Sequence, residues 1–214
     1  MTAPTDASRR RRIAVVVTLA VGATLLGASL ALHQGNLAFY GLTAGLAATW
    51  VIGSFASGPL HLGRSAGQPS GRRPVITPIL LGLAASAMFV LGALVVREIE
   101  PLRNYTDTVL THARRGSLPV IFVLTLLNGV AEEVFFRGAL FAAISRRHAV
   151  AGSTLVYTVA TLATGNPMLA FAAATLGVVL GWQRRATGGV LAPILTHVTW
   201  STVMLLALPP LFAN

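Results

Sequence analysis

The octapeptide Ala131-Glu132-Glu133-Val134-Phe135-Phe136-Arg137-Gly138 lies inside a long apolar run, Leu118 to Ile144. The chain has six acidic residues in all. Asp6 falls in the N-terminal segment, and Glu98, Glu100 and Asp107 share one polar loop. Glu132 and Glu133 are therefore the only acids set in apolar sequence. A run of this length predicts a membrane span, since roughly 20 apolar residues cross the hydrocarbon core. A charge at that depth costs roughly 2.5–3.5 kcal/mol on insertion scales and marks a functional site by default. Three ionisable groups within this one octapeptide are hard to assign to packing alone.

The rest of the composition agrees. The chain is 54% hydrophobic and 10% charged, against about 25% charged in soluble domains. The predicted fold is all-α: a polytopic helical membrane protein of about seven transmembrane helices in a single bundle. A net charge of +10 raises the question of nucleic acid. The basic residues, all Arg, come in short clusters between apolar runs, which fits membrane topology and not a nucleic-acid face. The absence of Cys excludes disulfides and thiolate zinc sites.

Taken in order, residues 1–12 form a basic cytoplasmic tail ending in Arg9 to Arg12, and 13–214 form the membrane domain. Ile13 to Leu32 is the first span; a basic segment before an apolar run also describes a signal peptide, but this run is long and more spans follow. Leu37 to Ala56 is the second, with a small-xxx-small pair at Gly41 and Gly45. A loop rich in Gly, Pro and Ser carries Arg64, Arg72 and Arg73. Val75 to Val96 is the third span. The polar segment 97–117 has room for a short surface helix. Leu118 to Ile144, at 27 residues, is long enough to tilt or protrude. Val150 to Thr164 and Met168 to Trp182 are short fifth and sixth spans, joined by a turn at Gly165-Asn166-Pro167. The sixth carries Gly177 and Gly181. Val190 to Leu208 is the seventh. With the N-terminus inside, eleven arginines fall on that side and four on the other. The positive-inside rule then favours a cytoplasmic N-terminus.

On a helix, Glu133 and Arg137 stand four apart on one face and can pair. Glu132 points about 100° away and is not Arg137's natural partner. One account is a buried ion pair with a spare acid, fixing helix packing. The functional account splits the two acids: Arg137 neutralises Glu133, and Glu132 faces an internal cavity as general base for water. In the last span, Pro193 removes a backbone donor and frees nearby carbonyls. His197 and Ser201 follow on one face, with Trp200 beside them. Alone, such a His is a structural hydrogen-bonding residue; beside a buried Glu pair, it and Ser201 can donate to a developing oxyanion. Tyr157, Thr158, Thr161 and Thr164 give the fifth span a polar side. Thr hydroxyls in membrane helices commonly bond back to the i−4 carbonyl.

Together these residues resemble the CPBP family of intramembrane glutamic proteases, which groups Rce1-like CAAX prenyl endopeptidases with bacteriocin-processing or immunity proteins (Abi). The family pattern is Glu-Glu-x-x-x-Arg, Phe-x-x-x-His and His-x-x-x-Asn on separate membrane helices. Glu132-Glu133-Val-Phe-Phe-Arg137 matches the first motif in full. Gly188-Gly189-Val-Leu-Ala-Pro193-Ile-Leu-Thr-His197 is similar to the approach to the third. The resemblance covers residues 118–208. It implies that Glu132 activates the attacking water, that Glu133 and Arg137 support it, and that His197 with the residue four later stabilises the oxyanion. Ser201 stands where the family has Asn. The second motif aligns with Tyr157-Thr-Val-Ala-Thr161, so Thr161 stands where the family has His. His33, His61, His112 and His148 do not substitute for it.

The expected function is hydrolysis of a peptide bond in a membrane-associated protein or peptide by Glu-activated water. No cofactor or metal is called for. The alternative is a catalytically weakened relative acting as a membrane scaffold or immunity factor. A transporter using Glu132, Glu133 and His197 is a third class, disfavoured by the lack of an internal repeat. A zinc protease lacks His-Glu-x-x-His. The expected location is a bacterial cytoplasmic membrane, with the lipid bilayer and a membrane-associated substrate as partners.

Overall fold

The computed structural model describes residues 6–32, 36–64 and 73–213. The start of the expected tail, His33 in the first turn and Arg72 lie outside the described residues. Among the described residues the chain is helical, with no strand: α1 (Asp6–Ala31), α2 (Leu37–Ser57), α3 (Ile76–Val96), α4 (Glu100–Arg115), α5 (Leu118–Glu133), α6 (Phe141–Ala143), α7 (Ala149–Leu162), α8 (Pro167–Thr187) and α9 (Leu191–Leu211). A π-helical stretch, Val134–Leu140, joins α5 to α6. The protein is a polytopic helical membrane protein. Among the described residues, five segments are long and apolar enough to cross a membrane: Arg9–Ala31, Leu37–Ser57, Ile76–Val96, Leu118–Ala143 and Leu191–Leu211. The expected fifth and sixth spans form α7 and α8. The 14 residues of α7 reach about 21 Å at 1.5 Å per residue, short of a hydrocarbon core of about 30 Å. α8 is long enough but carries Gln183, Arg184 and Arg185 near its end.

Contacts at the helix ends sort the chain. Arg11 Nε donates to Ser57 O at 3.3 Å, and Arg185 Nη2 to Arg146 O at 2.6 Å. The extended segment after α2 lies along the α8–α9 junction: Arg64 N donates to Thr187 O at 2.8 Å and Val190 N to His61 O at 2.9 Å. At Gly63 the backbone is left-handed, φ 84°, and lies so close to Gly189 that neither residue has room for a Cβ. Arginines 9–12, 64, 146–147 and 184–185 thus gather at one end of the bundle. At the other end lies α4, the surface helix for which the 97–117 segment had room. Asn166 Nδ2 donates to Tyr105 O at 2.7 Å, Arg114 Nη2 to Pro209 O at 3.3 Å, and Ser117 N to Tyr40 Oη at 3.2 Å.

Small residues set the helix approaches, but not all at the expected places. Added Cβ atoms on Gly41 and Gly45 would meet nothing within 4 Å, so that pair is no contact. The working positions are Gly22 against Trp50 and Gly53 against Thr18, between α1 and α2. Gly177 and Gly181 do bring α8 onto α7, against Thr154 and Val150. Pro193 does not break its helix. It sits in the first turn of α9, where a backbone N–H would have no intrahelical partner anyway.

The 118–144 run is divided and not merely tilted. Six successive residues of the π stretch, Phe135 to Leu140, are all buried. An ordinary α-helix would turn some of them outward, but the wider π turn spreads them across several neighbours. Trp50 of α2 stacks on Phe135 with ring centroids 4.6 Å apart and tilts against Phe136 at 5.1 Å. Phe136 in turn meets Tyr157 of α7 at 4.6 Å. π segments are rare and favour functional sites.

Candidate active site

The two acids end up in different surroundings. Glu133, the last residue of α5, is completely buried, as is Arg137 in the π stretch. Arg137 Nη1 donates to Glu133 Oε1 at 3.0 Å. His197 of α9 reaches the same oxygen through Nδ1 at 2.8 Å. Gly129, one turn before Glu133, faces this contact with ordinary spacing: an added Cβ there would stand 3.5 Å from Val198 and 3.9 Å from His197. A carboxylate accepting from Nδ1 assigns that nitrogen the hydrogen. Nε2 of a neutral ring is then an acceptor, and it donates only when the ring is an imidazolium. The geometry binds His197 to Glu133 through Nδ1 and leaves Nε2 for any further role.

Glu132 is partly exposed. Its Oε2 accepts a hydrogen bond from Tyr157 Oη at 2.7 Å. Oε1 has no hydrogen bond from the described residues. The Tyr157 ring also lies beneath the Arg137 guanidinium, 4.6 Å from Cζ to the ring centroid. One tyrosine of α7 thus touches both charged arms of the Glu-Glu-x-x-x-Arg motif. Arg184 of α8 closes the motif from behind, donating from Nε to Arg137 O at 2.7 Å.

Three polar atoms of the buried pair, Glu133 Oε2 and Arg137 Nε and Nη2, have no partner among the described residues. Buried groups of this kind are where internal water binds. Counting helical rise, Glu132 lies about 16 Å, Tyr157 about 12 Å and His197 about 9 Å from the basic end of their helices. The site lies near the middle of the bundle.

The remaining expected residues divide. Ser201 is buried one turn beyond His197 and makes no hydrogen bond with the described residues. Thr161 is buried too, but its hydroxyl donates to Tyr157 O at 2.9 Å. This is the back-bonding expected of a membrane threonine, and it leaves Thr161 out of the carboxylate network. Thr158 does the same to Thr154 O at 2.9 Å. His112 is buried in α4 at the far end, and His61 lies in the extended segment, so neither approaches the carboxylates. Among the described residues no three His, Asp or Glu side chains are grouped as metal ligands would be.

Tyr157 is the residue that sequence reasoning passed over. The signal was available: a hydroxyl where the pattern has Phe, in an apolar helix, must find an acceptor, and Glu132 was the acid left without one.

Residues 114–203 match the family profile described as type II CAAX prenyl endopeptidase Rce1-like. That segment, less than half of the chain, is similar to this family. No curated protein and no solved structure matches the chain. The matched segment runs from the end of α4 into α9. It contains Glu132, Glu133, Arg137, Tyr157, Thr161, His197 and Ser201 together, and the family to which it is matched is one of proteases.

Proposed function

We propose that this chain is an intramembrane endopeptidase. It hydrolyses a peptide bond of a membrane-associated protein or peptide with water activated by Glu132. The observation that carries this is the division of labour between the acids. Glu133 is buried and held by Arg137 and His197, whereas Glu132 is reachable and keeps Oε1 uncommitted.

In the proposed reaction, water donates a proton to Glu132 Oε1 as its oxygen attacks the carbonyl carbon. The carbonyl becomes an oxyanion, to which Ser201 Oγ and, when the ring is charged, His197 Nε2 donate in this reading. Glu132 then delivers its proton to the departing amine as the C–N bond breaks. The enzyme is returned unchanged with one water consumed.

A second account, a weakened relative acting as scaffold or immunity factor, is favoured by Thr161, whose hydroxyl is engaged with its own helix. Purified protein in liposomes, presented with a library of quenched-fluorescent transmembrane peptides, separates the two. Cleavage lost in Glu132→Ala and insensitive to chelators supports the peptidase. Equal inactivity of wild type and Glu132→Ala, with a cellular phenotype that survives the substitution, supports the scaffold.

A further inference from the structure

Thr161 and Tyr157 occupy successive turns of one face of α7, and only one of them reaches the carboxylates. Thr161 gives its hydroxyl proton to the Tyr157 carbonyl. Tyr157 gives its own to Glu132 Oε2 at 2.7 Å. The Tyr157 ring is held on two sides, by Phe136 at 4.6 Å and by the Arg137 guanidinium at 4.6 Å. Its hydroxyl is thus a preorganised donor and not a freely rotating one. Glu132 itself has no partner on its own helix.

From this geometry we propose, resting on the peptidase reading above, that Tyr157 is the positioning residue for Glu132. Its hydroxyl holds Oε2 and so turns Oε1 toward water. It does from position 157 what a side chain at 161 would otherwise have to do. A tyrosine hydroxyl is suited to this. At neutral pH it stays protonated, so it remains a donor through the whole cycle, whether Glu132 is ionised or carries the proton. It also keeps the carboxyl from rotating into the space that water needs. The site has therefore not simply lost a partner at Thr161; the donor has moved one turn along α7.

Tyr157→Phe is a clean test, because it keeps the ring packing and the guanidinium contact and removes one hydroxyl. In the liposome assay it lowers kcat about 10- to 100-fold, the range for losing a hydrogen bond to a charged group, at unchanged KM. Adding Thr161→His to Tyr157→Phe restores part of the rate, because a donor returns to the same helix face. A second readout needs no turnover: the infrared carboxyl band that disappears in Glu132→Gln shifts in Tyr157→Phe. A cleaving wild type whose kcat is unaffected by Tyr157→Phe overturns the positioning role and leaves the peptidase intact. An unshifted band overturns the pairing whether or not the protein cleaves. A shifted band in a wild type that cleaves nothing sinks the peptidase, and with it the positioning role, while the hydrogen bond itself stands.

Discussion

Arg137→Met is the sharpest perturbation of the site. Methionine fills much of the volume of the arginine stem and removes the charge. Glu133 is then left fully buried with one donor, His197 Nδ1 at 2.8 Å, in place of two. Breaking a buried ion pair from one side costs about 3–5 kcal/mol, because the survivor remains desolvated. The remaining histidine bond pulls the estimate to the lower half of that range. Losing the guanidinium over the Tyr157 ring adds about 0.5–2 kcal/mol. The backbone bond from Arg184 to Arg137 O survives, since it does not involve the substituted side chain. The expected loss is therefore about 3.5–6 kcal/mol in all. Unfolding by sodium dodecyl sulfate in mixed micelles measures it, read by tryptophan fluorescence. Trp50 stacks on Phe135 and so reports on the π stretch directly. The double variant Arg137→Met with Glu133→Gln should recover at least half of the loss, because the neutral amide oxygen still accepts from His197 and no charge is stranded. A single-variant loss below about 1 kcal/mol would place the pair in contact with water. A double variant no better than the single would show that the arginine acts by shape and not by charge. Either result refutes the reasoning.

Glu132→Gln should abolish cleavage while destabilising far less than Arg137→Met, because the amide oxygen can keep the Tyr157 bond and the residue is partly exposed; the same micelle titration checks this. Gly53→Val should destabilise strongly, since a side chain there collides with Thr18, whereas Gly41→Ala should be neutral or slightly stabilising as open helix surface. Asn166→Ala removes the acceptor of Met168 N at 3.0 Å and Leu169 N at 3.3 Å and the donor to Tyr105 O. Cap loss of this kind costs about 0.5–2 kcal/mol, and faster hydrogen exchange confined to the start of α8 would identify it.

What was legible in the sequence followed from rules that act locally. Apolar run length and arginine clustering gave the helical bundle and the grouping of 9–12, 64, 146–147 and 184–185, because lipid forces each run to satisfy its own backbone. The i, i+4 spacing of Glu133 and Arg137 gave their ion pair, because a helix dictates that geometry without help. Several of the misses concern relations between helices. Gly41 and Gly45 have the spacing of a contact, yet nothing stands opposite them, while Gly22 and Gly53 work singly against Trp50 and Thr18. The π stretch was not visible either. Nothing in Val134–Leu140 demands it locally; what rewards it is the simultaneous burial of Phe135, Phe136 and Arg137 against α2 and α7.

Glu132 shows the same boundary from the functional side. Its lack of an in-helix partner was readable from spacing, and so was the suspicion that it differs from Glu133. Which group would answer it was not, since the answer comes from another helix. Pattern matching looked for a histidine at 161 and found Thr161, which pointed to an impaired site. The packing instead presents Tyr157, brought onto Glu132 by a ring wedged between Phe136 and Arg137. The aromatic character of position 157 is what holds the ring there, and the added hydroxyl needs an acceptor at its far edge. An unpaired acid on one span and an unpaired hydroxyl on another are each costly in lipid. Their meeting relieves both, and that is a stronger reason for the arrangement than either motif read alone.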